Sequence, residues 1–121
     1  MDNVHIKPHK QLVVWQTSMD LVTDIYKVLK SFPDSEKYCM VQQMQRCAVS
    51  VPSNISEGAA RRSTKELLQF SYIARGSLSE LDTYLEISAR LGYVDDKRNK
   101  DLTQKLNRVG MFLNGLIKSL R

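Results

Sequence analysis

Glycine and proline are scarce in this chain, five and three residues among 121. So few turn-forming residues exclude the many tight turns of an all-β fold and favour helices joined by short connections. Cysteine is limited to Cys39 and Cys47. Eight apart in one predicted helix, they stand about 12 Å apart along its axis, too far for an intrahelical disulfide, and both read as buried thiols. No CxxC, HExxH, Glu-x-x-His or glycine-rich phosphate loop occurs, and histidine stops at His9. These absences exclude the usual metal and nucleotide sites, and His5 and His9, four apart, have no helical pattern to make them converge. No apolar run approaches the roughly 18 residues of a membrane-spanning helix, and Asp2, His5, Lys7 and His9 give the N-terminal segment no signal-peptide character. A cytoplasmic protein without membrane contact, metal or cofactor is expected.

What is present belongs to an ordinary globular domain: 42% hydrophobic and 26% charged residues, in a length that suffices for one core. Residues 1–11 show no periodicity and contain Pro8, so they read as a flexible N-terminal arm ahead of a domain spanning 12–121. From Leu12 two apolar stripes run side by side, Trp15, Met19, Val22, Tyr26 and Leu29 beside Val14, Leu21, Ile25 and Val28, until Pro33 ends the first helix. Asp34 or Ser35 is the expected cap of the second, with Glu36 in its first turn. There Met44, Cys47, Val51, Ile55 and Ala59 keep one buried face across Pro52. Pro52 removes the bond to the Ala48 carbonyl and predicts a kink; Asn54-x-x-Glu57 could instead restart a new helix, but the unbroken register favours one kinked helix.

Gly58 and Arg61-Arg62 mark the end of that helix, and Ser63-x-x-Glu66 is a capping box opening the third. Leu67, Ser71, Ala74, Leu78, Leu81, Leu85 and Ser88 form its core face, widened by Phe70, Ile73, Tyr84, Ile87 and Leu91. Gly76-Ser77 in mid-helix suggests a close helix approach. Gly92 closes the third helix, Asp95 or Asp96 caps the fourth, and Leu102, Leu106, Val109, Leu113, Leu116 and Leu120 give it a 4-3-4-3-4 seam. The expected architecture is all-α, an antiparallel up-down-up-down four-helix bundle with its second helix kinked at Pro52.

Beside the apolar face of the second helix runs a polar stripe of Arg46, Ser50, Asn54 and Glu57. Short hydrogen-bonding side chains at that register point to fixed partners rather than a solvated face. A catalytic use, with Glu57 as base, Ser50 as nucleophile and Arg46 as anion clamp, fails on distance, since two turns, about 10 Å, separate Ser50 from Glu57. The expected alternative is a structural polar seam of Arg46, Ser50, Asn54 and Glu57 matched by Ser77 and Glu80 of the third helix, in which Arg46 pairs with Glu80 while Ser50 and Asn54 satisfy backbone groups exposed by the Pro52 kink. No catalytic residue is assigned. Charge is uneven: of the net +5, residues 95–121 hold seven bases against three acids, leaving +4. Candidate nucleic-acid contacts are therefore Arg61, Arg62 and Lys65 in the turn between helices two and three, and Lys97, Lys100, Lys105 and Arg108 on helix four. In an up-down bundle the two groups lie toward opposite ends, and repetition around an oligomer could make either a ring of positive potential.

The run Ser50-Val51-Pro52-Ser53-Asn54-Ile55-Ser56-Glu57-Gly58, with Ser63-x-x-Glu66 and Ala74-Arg75-Gly76-Ser77-Leu78-Ser79-Glu80-Leu81, resembles the four-helix bundle family encoded within intervening sequences of bacterial 23S ribosomal RNA genes. Arg46, Ser50, Pro52, Asn54, Glu57, Gly58, Gly76, Ser77 and Glu80 fall on the family motif. The resemblance implies a homopentameric bundle without established enzymatic activity. It also implies structural kinship with the accessory variability protein of diversity-generating retroelements, a pentameric basic ring that binds nucleic acid and a reverse transcriptase. From composition and resemblance together, the expected protein is a non-enzymatic RNA- or DNA-binding ribonucleoprotein accessory module, the alternative being a scaffold that docks a protein such as a reverse transcriptase.

Overall fold

The computed structural model describes residues 8–121, which form four α-helices: α1 (Val13–Leu29), α2 (Met40–Ala60), α3 (Thr64–Arg90) and α4 (Asp96–Leu120). Helices α1 and α3 each pack on both α2 and α4, so chain neighbours are also spatial neighbours and alternate in direction. This is the antiparallel up-down-up-down bundle that the periodicities imply. None of these helices is long and apolar enough to cross a membrane.

Local chemistry sets several of the helix ends. The Ser63 hydroxyl accepts the Glu66 N–H at 3.3 Å, and Asp95 accepts the Arg98 N–H at 2.8 Å. Gly92 adopts φ 80°, and the N–H groups of Gly92 and Tyr93 return to the carbonyls of Ala89 and Ser88, the paired bonds of a Schellman end. The start of α2 departs from expectation. Asp34–Glu36 form a separate 3-10 turn, and α2 begins only at Met40, after Cys39. Glu36 is the reason: one carboxylate oxygen accepts the Met40 N–H at 3.4 Å and the other accepts the Tyr93 hydroxyl at 2.8 Å. A carboxylate expected in the first turn thus caps the helix from outside and ties it to the α3–α4 turn. Of the arm expected over residues 1–11, residues 1–7, with His5, lie outside the described residues. Pro8–Gln11 form a 3-10 turn, which a proline can open because its missing N–H is not needed there. The Gln16 side-chain amide donates to the Lys10 carbonyl at 2.8 Å, and the His9 ring meets Trp15 at 4.9 Å.

The core is made by Leu21 and Ile25 of α1, Met44, Val51 and Ile55 of α2, Ala74, Leu81 and Leu85 of α3, and Val109 and Leu113 of α4. Buried Ser18, Ser71 and Ser88 each donate to a carbonyl of the preceding turn, so their hydroxyls need no partner across the core. On α4 the expected seam is buried through Leu113, after which Leu116 and Leu120 are only partly buried and Ile117 takes the buried position, because a straight helix at 3.6 residues per turn drifts off a strict heptad. Ile73, Ile87 and Leu91 do not widen the core face of α3; they are exposed.

Cys39 is exposed and only Cys47 is buried. Burial, and then the adjacent Glu80 carboxylate, pushes the Cys47 thiol from its ordinary 9.0 up to about 12. Because the folded value lies above the unfolded one, this contribution to stability is complete below pH 9.0 and is lost as pH rises through about 12. With Ellman's reagent, Cys39 should react at once and Cys47 only as the bundle opens, and Cys47→Ala should flatten the alkaline fall in stability. Equal labelling rates would contradict this burial.

Candidate nucleic-acid interface

The polar stripe resolves into three parts. Ser50 and Ser77 share a hydrogen bond of 2.7 Å between hydroxyl oxygens, and the Asn54 amide donates to the Ser50 carbonyl at 2.8 Å and to its hydroxyl at 2.9 Å. This triad is the α2–α3 seam. It stands beside Pro52, where α2 runs on unbroken although the Ala48 carbonyl has no N–H to accept, and Ser53 donates to the neighbouring Val49 carbonyl at 2.7 Å. Asn54→Ala removes two bonds from partly buried oxygens, so a loss of about 1–2 kcal/mol is expected by denaturant titration. A variant as stable as the wild type would remove the seam from the fold's supports.

The second part, the Arg46–Glu80 pair, is not formed. With Ser50 set opposite Ser77, the next turn brings Cys47, not Arg46, to Glu80, and the Tyr84 hydroxyl also donates to that carboxylate at 3.4 Å. Arg46 is exposed around the helix in a shallow groove with Tyr26, Gln42 and Val49. The third part, Glu57, turns to the Arg61 guanidinium at 3.0 Å, which also reaches Glu66 at 3.4 Å and lies 5.3 Å from the centroid of the Phe70 ring.

The basic candidates separate equally clearly. Lys105 pairs with Asp24 of α1, whose hydrogen bond holds the ammonium above the usual lysine range. Arg108 lines the same α1–α4 groove beside Asp20 and Asp24. Acids of α1 therefore offset the middle of α4. Lys97 and Lys100 stand at the end where α4 starts. Counting the end turns of the helices and their connections, that end has eight bases (Lys27, Lys30, Lys37, Arg46, Arg90, Lys97, Arg98, Lys100) against seven acids (Asp24, Asp34, Glu36, Glu86, Asp95, Asp96, Asp101), a net +1.

The opposite end is different. Among the described residues, Lys10, Arg61, Arg62, Lys65, Lys118 and Arg121 face only Glu57 and Glu66, a net +4. Both acids are bound to one base, Arg61, which leaves the other five without a side-chain carboxylate among the described residues. Sequence reasoning found Arg61, Arg62 and Lys65 but not Lys10, Lys118 and Arg121. The signal was available in the topology, since an up-down bundle must bring the end of α4 beside the α2–α3 turn.

Arg62 has a further peculiarity. It follows the last residue of the α2 cap in left-handed backbone, φ 57°, where glycine is the usual occupant. A cation is thus kept in the turn at a conformational cost. Arg62→Gly should raise stability by about 0.5–1 kcal/mol while removing a base from the end, a pairing that thermal melting and binding assays measure separately.

Fold and charge define a class, a small antiparallel helical bundle with one basic end. The chain belongs to the 23S rRNA-intervening sequence protein family, whose profile matches residues 10–115. Among solved structures it is similar to a protein of unknown function from the S23 ribosomal protein family of Bacteroides thetaiotaomicron VPI-5482. That likeness has a TM-score of 0.81 at 22% identity and covers 88% of this chain and 99% of the other, and at this identity it establishes the fold. A comparison with curated proteins found no match.

Proposed function

We propose that this protein is a non-enzymatic, cytoplasmic, homo-oligomeric bundle that binds nucleic acid, RNA foremost, through its basic end, as an accessory module of a ribonucleoprotein. The observation that carries this reading is the end where, among the described residues, one arginine takes both acids and five bases have no side-chain carboxylate beside them. Phosphates supply the missing counter-charge, and their contacts release condensed ions. Fluorescence anisotropy with a labelled structured RNA, titrated from about 50 to about 300 mM salt, should show affinity falling steeply with salt. Absent binding at low salt, or binding flat in salt, would overturn the reading.

Self-association is part of the proposal. Among the described residues, Arg46 and Glu80 have no ion-pair partner, and exposed Ile73 and Ile87 lie on the same stripe of α3 as Glu80. A second copy could supply both charge partners and apolar cover, and the family resemblance implies a pentamer. Light scattering should then give about five times 13.9 kDa. A mass of 13.9 kDa would remove the oligomer.

A scaffold that docks a protein such as a reverse transcriptase is the second reading, favoured by exposed Leu91 and Met111. Partner capture that survives nuclease and high salt would support it.

A further inference from the structure

Tyr72 lies on α3, two turns in from the basic end, beside Arg75 and Asn114, which none of the preceding readings uses, and Arg121 of that end. The Arg75 guanidinium stands 5.0 Å from its ring centroid, and Arg121 Nη1 donates to its hydroxyl at 3.5 Å. Arg75 also donates to the Asn114 side-chain oxygen across the α3–α4 boundary at 3.3 Å. All four residues are exposed, so none is consumed by the core. Beyond Arg75, away from the basic end, the α3–α4 boundary opens into a groove of about 450 Å³. Its lining includes Leu78 and Leu106, with Ser79, Asp82 and Asn107 supplying hydrogen-bonding groups.

We propose that this face holds unpaired bases of a single-stranded nucleic acid whose phosphates are held at the basic end. The inference rests on the nucleic-acid reading above and adds the type of strand and the place where its bases lie. Three features support it. An exposed aromatic ring with a planar guanidinium at cation–π distance offers a π-surface to any base, a contact a duplex with its bases stacked inside cannot make. Asn107 and Asn114 each carry both a donor and an acceptor for a base edge, and Asp82 can accept from an exocyclic amine. Arg121 joins this face to the basic end, so one strand can follow the bases of that end and then enter the groove. The groove volume falls within the roughly 300–1,000 Å³ of small-ligand sites, enough for a nucleotide unit.

The test uses the full chain with fluorescein-labelled oligouridine and oligothymidine of about 20 nucleotides and a duplex of equal length, longer than the roughly 4–16 nucleotides that single-strand binders cover. Tyr72→Ala should weaken both single strands about tenfold, on the scale of one lost base–aromatic stack, while leaving the salt slope and duplex affinity unchanged. Tyr72→Phe, which keeps the ring, should bind within about twofold of wild type. In the wild-type protein, a 4-thiouridine strand should crosslink to the tryptic peptide that ends at Arg75, a measurement independent of how the variants fold. Wild-type affinity in Tyr72→Ala, with crosslinks only elsewhere, would overturn the stacking face and leave the basic-end reading standing. No binding of any strand by the wild-type protein at low salt would overturn both.

Discussion

Gly58→Ala should lower the stability of the bundle by about 2 kcal/mol, even though alanine is the better helix former by about 1 kcal/mol. The reason is space. A Cβ on Gly58 would lie 2.9 Å from the Phe70 Cβ, 3.0 Å from the Leu67 Cδ1 and 3.1 Å from the Leu67 Cα. Two of these atoms belong to or sit directly on the α3 backbone, so relief requires the start of α3 to move rather than a side chain to swing. Gly58 is buried within the last turn of α2, and the α2–α3 turn cannot close as tightly around a larger residue. Gly76→Ala is the matched comparison. Among the described residues no atom outside its own helical turn lies within 4 Å of its would-be Cβ, so the exposed mid-helix glycine should yield about 0.5–1 kcal/mol of added stability on substitution. Thermal melts of the two variants should shift in opposite directions. A stabilised Gly58→Ala would show that the helix ends are not in contact. A destabilised Gly76→Ala that also loses mass by light scattering would place a second copy against that glycine.

The largest functional effect is expected from removing the uncompensated bases together. The variant Arg62→Gly, Lys65→Gln, Lys118→Gln and Arg121→Gln takes away four of the five bases that no side-chain carboxylate neutralises among the described residues. Each lost phosphate contact should reduce the salt slope of single-strand binding by about 0.7, so the full variant should lose about 3 in slope and on the order of 10²–10³-fold in affinity near 0.1 M salt. Melting should not fall, because these side chains are exposed and Arg62→Gly relieves a left-handed non-glycine residue. The control is Lys97→Gln with Lys100→Gln, at the nearly balanced end, which should change the slope little. Equal losses in the two variants would place the contact on α4 as a whole.

Much of the fold was legible because periodicity and capping are local. The buried residues of α3, Ser71 and Ser88 included, follow from their spacing, and the caps at Ser63, Gly92 and Asp95 follow from residue type. The candidate site was legible only in part. Arg61, Arg62 and Lys65 stand together in the chain and were found; Lys10, Lys118 and Arg121 join them only through the packing of distant helix ends. The first helix shows the same limit. Both of its apolar stripes have helical spacing, yet Val14, Leu21, Ile25 and Val28 are buried while Met19 and Tyr26 are exposed. Spacing identifies a face; the neighbouring helices decide how much of it they cover.

By itself the sequence determined that this chain forms helices, where most of them end, and that consecutive ones fold back on each other, since each depends on residues within a few positions. Tertiary structure decided the rest. It placed Glu80 against Cys47 and left Arg46 outside, because the packed faces of α2 and α3 meet at the level where Ser50 lies opposite Ser77, which puts Cys47 one turn on beside Glu80. It made Gly58 and not Gly76 the point of closest approach. It also turned a charge spread along α4 into a positive pole beside the α2–α3 turn, because α1 offsets the middle of that helix and only its far end joins other unpaired bases.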